Sequence, residues 1–237
     1  MNRVGLLHHH LGMGDHIICN GLVRSLIRRT EVDVLFLLCK RQNLATVRFM
    51  YRDHHKLCIL PVVDDNDLFL NFFFDKKKIV VARVGFKEVR MPDWDVSFYD
   101  QSDVPFEERW RSFYYWRDPY IEEGFFGEKC TTNEPYILVH SGGSAKGSVS
   151  GAYDLRLPEG VKTIYVEHRN LFDYRLLVER AQEVHCVNSA FIHMVNSFGA
   201  IKPKLFFHDI RKMGDLDGFA RHPDQEWETV HYEEKVA

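Results

Sequence analysis

Residues 8–26, HHHLGMGDHIICNGLVRSL, hold the decision about the fold. Three histidines and a Gly-Met-Gly-Asp turn lead into a run with Ile17, Ile18, Leu22, Leu26 and Ile27 at helical spacing, and RVGLLHH (3–9) before them has the apolar density of a strand. A strand, a glycine turn and a helix form the opening unit of a βαβ fold. The turn could be a metal site, a phosphate cradle, or a loop that aims Asp15 as a reacting group. Consecutive residues of a strand point to opposite faces, so His8, His9 and His10 cannot converge on one ion. A dinucleotide fingerprint is also excluded: no third glycine falls at the required offset, and the second strand ends at Lys40 instead of an acid. Asp15 can still act as a plain helix cap.

Outward from this stretch the same rhythm continues. VDVLFLLC (32–39) is nearly continuous apolar sequence, the kind buried on both faces of a parallel sheet. A helix near 43–52, a strand at 56–63, a short helix around 66–74 and a strand at 78–84 follow. Residues 85–133 then break the alternation and carry all but one of the tryptophans, among many Tyr, Phe and Arg. Such a segment packs as a helical connector or faces a substrate, and Arg109 and Arg111 are its candidate ligand contacts. Alternation resumes with strands at 135–140, 161–167, 183–187 and 204–208 and helices at 170–182, opened by Asn170, and at 188–199, capped by Asn188 or Ser189 and stopped by Gly199. The tail from Gly214 is polar and unpatterned. The expected fold is α/β, two Rossmann-like lobes with parallel sheets joined by an aromatic-rich segment, with lobes at 1–125 and 126–237.

Composition narrows the function. Of 237 residues, 45% are apolar and 27% charged, and the net charge of −3 supplies no basic field for nucleic acid. Five widely spaced cysteines read as reduced thiols of a cytoplasmic protein. No apolar run reaches the ~20 residues of a membrane helix, and the first residues do not read as a signal peptide.

Three further motifs carry chemistry. Asp65-Asn66-Asp67 matches an Asp-x-Asp metal site of sugar transferases and equally an acidic first helical turn. VHSGGSAKGS (139–148) offers backbone N–H groups and Lys146 to an anion, without the order of an ATP-binding loop; a surface loop reads as well. VHCVNSAFIHMVNSFG (184–199) sets Ser189 at a helix start, with His193 one turn on, where a packed core histidine is the ordinary role.

Together these segments resemble the ADP-heptose:lipopolysaccharide heptosyltransferases, GT-B glycosyltransferases. HLGMGDHIICNGLVRSL matches the family's Gly-Asp turn, LVHSGGSAKG its strand, His, Gly/Ser loop and lysine, and VNSAFIHMVNSFG its diphosphate-binding helix start, with Asn188, Ser189 and Ala190 where the family has Asp-Thr-Gly. The resemblance implies that Asp15 is the general base. It assigns Gly14, Ser141, Gly142, Gly143, Lys146, Asn188, Ser189, Ala190 and His193 to a nucleotide-diphosphate-sugar donor, and His10, Arg109 and Arg111 to a glycan acceptor. No metal and no cofactor are then required. A metal-dependent transferase using Asp65 and Asp67, and a nucleotide- or glycan-binding module without catalysis, are the rival readings.

Overall fold

The computed structural model describes residues 3–64, 80–132, 134–142, 154–167, 169–210 and 220–232. Asp65, Asp67, Gly143, Lys146 and the helix expected around 66–74 lie outside them. The chain forms two compact units, Met1–Trp116 with Gly218–Ala220, and Arg117–Asp217 with Arg221–Ala237. The sequence placed the division at 125; the helix over 119–129 belongs wholly to the second unit.

In the first unit, β1 (Val4–His8) is followed by helices α1 (Met13–Ile18) and α2 (Asn20–Arg29), β2 (Val34–Lys40), α3 (Leu44–Met50), β3 (Leu57–Val62) and β4 (Val80–Arg83). Helices α4 (Trp94–Asp100) and α5 (Glu108–Arg111) complete it. The strands are all parallel in the order β3-β2-β1-β4. Continuous apolar sequence puts β2 inside, with Leu37 and Leu38 fully buried, and Leu6, Leu11, Leu38 and Val62 form one core cluster. The single helix expected over 15–29 is two, hinged at Cys19 (φ −79°, ψ 2°). Just past the hinge the helix backbone meets α5, since a Cβ on Gly21 would stand 2.0 Å from the Glu108 carbonyl oxygen. Only glycine lets the two backbones approach so closely.

Arg24 lies on the buried side of α2. It forms a two-pronged pair with Asp53 at 2.8 and 2.9 Å, and its guanidinium lies over Tyr51 and Tyr114. The charge is tolerated there because its donors are matched by a carboxylate fork.

The second unit opens with α6 (Pro119–Lys129), capped by Asp118, whose carboxylate accepts the Ile121 N–H, with proline at the first helical position. Then come β5 (Tyr136–His140), β6 (Lys162–Tyr165), a 3-10 turn (Leu171–Tyr174) continuing into α7 (Arg175–Arg180), β7 (Glu183–Val187), α8 (Ala190–Asn196), β8 (Lys204–Asp209) and β9 (Trp227–His231). The order is β6-β5-β7-β8-β9, again all parallel. Strand β9 corrects the reading of the tail as unpatterned: among the described residues it pairs with β8 alone, and it buries Trp227, while Arg221 bonds the Trp227 carbonyl and Thr229 Oγ1. Asn170 caps the 3-10 turn, and Gly199 ends α8 at φ 72°, the left-handed stop that glycine supplies. Two parallel, doubly wound sheets are the α/β architecture expected.

Candidate functional site

Open parallel sheets bind ligands outside the carboxyl ends of their strands, where the strand order reverses. In the first unit β2 and β3 succeed β1 on one side and β4 lies on the other, so that point falls between β1 and β4. Residues 9–14 and 84–87 meet there. The Val84 N–H donates to the His8 carbonyl, His10 Nε2 bonds the Gly85 carbonyl at 2.6 Å, and Asn43 donates to the Leu11 carbonyl. The turn is thus tied from two neighbouring connections.

The histidines alternate as strand geometry demands. His8 and His10 both lie against the Phe86 ring, with centroids 4.5 and 4.6 Å away, while His9 turns to the other side and meets His16 edge-on. His16 is fully buried, and burial, reinforced by His9 and Lys40, holds its pKa well below the usual value. It stays neutral.

Asp15 sits in the first turn of α1, partly exposed. Gly12, the residue before that helix, has φ −66°, so no left-handed conformation calls for glycine; a Cβ there would lie 2.4 Å from Asp15 Oδ2 and would move the carboxylate. Gly14 lies inside α1, in the first unit.

In the second unit the chain leaves β5 for β6 on one side and crosses to β7 on the other, so the reversal falls between β5 and β7. It brings Ser141 and Gly142, after β5, beside Asn188, Ser189 and Ala190, after β7. Ser189 precedes α8 in extended conformation, yet its hydroxyl makes no bond to its own helix; it lies 3.2 Å from His140 Nδ1. The His140 ring is stacked on Phe191 at 5.2 Å, which fixes its plane. Ser141 is buried, and among the described residues nothing lies within 4 Å of a Cβ built on Gly142. His140 ended the sequence motif without a role and gains one here; its hydrogen bond to a residue 49 positions away left no local signal.

One expectation is corrected by burial. Arg109 has no exposed surface: it pairs with buried Asp95, and its guanidinium lies 4.2 Å from the Trp110 ring, so it does not reach an acceptor. His193 is 5% exposed, one turn inside α8. Arg111 is exposed on α5. Among the described residues no group of three or more His, Cys, Asp or Glu is placed to hold a metal ion, and no helix is long and apolar enough to cross a membrane.

A polar chain also crosses β7, β8 and β9. Glu183 accepts from His185 Nε2 at 3.0 Å, His185 Nδ1 meets His208 Nε2 at 2.9 Å, His208 Nδ1 meets the Tyr232 hydroxyl at 2.6 Å, and that oxygen accepts the Arg156 N–H. With both imidazoles neutral every one of these bonds has one donor and one acceptor. Burial, with His185 alongside, pushes the His208 pKa down to about 4. A histidine that titrates near 6.5 unfolded binds more protons unfolded than folded between those values, so stability falls as pH drops from about 6.5 towards 4. The His208 share is about 2–3 kcal/mol. Urea midpoints at neutral and mildly acid pH check this, since His208→Asn should flatten the difference; an equally steep loss in the variant would refute it.

The two units are Rossmann-like α/β halves of the GT-B-like class. Among solved structures the chain is similar to the glycosyl transferase family 9 protein from Veillonella parvula DSM 2008, with a TM-score of 0.58 and 11% identity over 100% of this chain and 88% of that one. The dodecameric iron-containing heptosyltransferase TibC in complex with ADP-D-beta-D-heptose matches with a TM-score of 0.49 and 10% identity, over 83% of this chain and 56% of that one. At such identities the likeness is one of fold. No protein-family model matches the sequence, and no curated protein does.

Proposed function

We propose that the protein is a glycosyltransferase that moves a sugar from a nucleotide-diphosphate-sugar donor to a glycan hydroxyl without a metal ion. One observation carries the reading: Ser141–Gly142 and Asn188–Ser189–Ala190, far apart in sequence, meet at the reversal point of the second sheet and are joined there by the His140–Ser189 hydrogen bond. Hydroxyls and backbone N–H groups at this point suit a diphosphate, and in the sequence Gly143 and Lys146 follow, a further N–H and a positive charge. The leaving diphosphate gains negative charge as the glycosidic bond breaks, and donors already aimed at it lower that barrier. Asp15, at the matching point of the first unit, is the base that takes the acceptor proton. The fold likeness to a glycosyl transferase family 9 protein supports the same reading. On it, the protein works in glycan biosynthesis in the cytoplasm, where unpaired thiols such as the exposed Cys58 stay reduced.

Thermal shift with UDP, GDP, ADP, CMP and dTDP, each with and without manganese, tests the donor site. Ligand at ~100 times its Kd adds about 2.7 kcal/mol, a rise of roughly 5–10 °C in Tm. The expected result is a metal-independent shift with one nucleoside diphosphate. A shift only with manganese would transfer the site to Asp65 and Asp67, and no shift with any nucleotide would overturn the reading.

A further inference from the structure

We propose that Phe86, backed by His10, is the platform on which a pyranose ring of the acceptor stacks, an assignment that rests on the transferase reading above. Three rings form a column at the carboxyl ends of β1 and β4: Phe98 inside, His10 in the middle at 6.2 Å and 27°, and Phe86 outermost, 4.6 Å and 26° from His10. Exposure rises along it, from 2% at Phe98 to 37% at Phe86, so the column ends in an aromatic surface open to solvent. Its connection is held from both sides by one residue, since Gln101 Oε1 accepts the Gly85 N–H and Gln101 Nε2 donates to the Lys87 carbonyl, each at 2.8 Å. Gly85, at φ 86°, is required there: a Cβ would stand 2.6 Å from the Phe98 ring and 3.0 Å from His10. An exposed ring fixed this firmly loses little freedom when a ligand covers it.

The chemistry selects the occupant. A pyranose has an apolar C–H face, which the electron-rich face of an aromatic ring attracts, and a rim of hydroxyls. His10 Nε2 bonds the Gly85 carbonyl at 2.6 Å, which holds the ring that backs the platform. Lys87 is exposed on the same connection and can meet further hydroxyls or an acidic substituent. The platform also belongs to the reversal point that carries the Asp15 turn, where an acceptor hydroxyl has to be deprotonated.

Saturation-transfer NMR with methyl glucoside, mannoside and galactoside, and glycerol as control, tests the platform on the whole chain. Wild type, Phe86→Ala and Phe86→Trp are compared, and the nucleotide thermal shift is run on each. At least one pyranoside should bind in the millimolar range through its ring C–H protons, about five- to tenfold more weakly to Phe86→Ala and undiminished to Phe86→Trp. Equal affinity in Phe86→Ala, glycerol bound as well as the sugars, or no pyranoside bound by wild type would each overturn the platform. The nucleotide shift separates the two failures: retained, it leaves the transferase reading intact while the platform falls. Should Phe86→Ala fail to fold, the indole fluorescence of Phe86→Trp decides, a saturable change on adding pyranoside supporting the platform and no change overturning it.

Discussion

Asp15→Asn lowers sugar transfer by ~100-fold or more while leaving the fold in place, the loss expected when a general base becomes an amide that cannot accept the acceptor proton. The amide has the carboxylate's shape, so the close contact with Gly12 and the first turn of α1 are preserved. Apart from Gly14, which the substitution leaves in place, the proposed donor residues lie in the other unit, so the nucleoside diphosphate that stabilises wild type should stabilise Asp15→Asn equally. This pairing of lost transfer with retained nucleotide binding distinguishes a missing base from a damaged protein. Gly12→Ala adds a positional test. Its methyl group would enter the space of Asp15 Oδ2, 2.4 Å away, and displace the carboxylate, so transfer should fall although every reacting group remains. Release of the nucleoside diphosphate from its sugar donor is the measurement. Wild-type rates in a folded Asp15→Asn would remove Asp15 from the mechanism.

What the sequence disclosed follows from how locally each feature is encoded. Strands β2 and β5 are buried on both faces, and continuous apolar sequence marks them to within about two residues. Strand β9 buries one residue strongly and, among the described residues, pairs with β8 alone, so its pattern vanishes among polar neighbours. The hinge at Cys19 was invisible because its surroundings, with Gly21 against the Glu108 carbonyl, depend on a helix 87 positions away. The site shows the same division. Asp15, Ser141 and Ser189 lie in connections that follow strands and are candidates by that position, whereas His140 and Phe86 become meaningful only through partners 49 and 76 positions distant.

Arg109 is the clearest misreading, and its partner gives the second large effect: Asp95→Ala should destabilise the protein by about 3–5 kcal/mol. Asp95 sits near the start of α4 with no exposed surface, accepts the N–H groups of Val96 and Ala220, and is paired with Arg109. Burial lowers the Arg109 pKa, but a guanidinium remains charged at any pH a protein survives. Two of its nitrogens, Nε and Nη2, already lack hydrogen-bond partners, so without the carboxylate a whole positive charge is left with aromatic rings for company. The stacked Trp110 face offsets a small part of that cost. Replacing both members by apolar residues, Asp95→Leu with Arg109→Met, removes the charge problem altogether, and the double variant should be more stable than Asp95→Ala alone. Urea unfolding with an unchanged m-value measures both; an Asp95→Ala variant within about 1 kcal/mol of wild type would contradict the pairing. The double variant also separates the two roles open to the aromatic segment. If Arg109 is a packing residue, sugar transfer persists without it. An arginine in a run of Trp, Tyr and Phe resembles a ligand contact in sequence because the acid that neutralises it lies 14 positions earlier, and only the fold brings the two together.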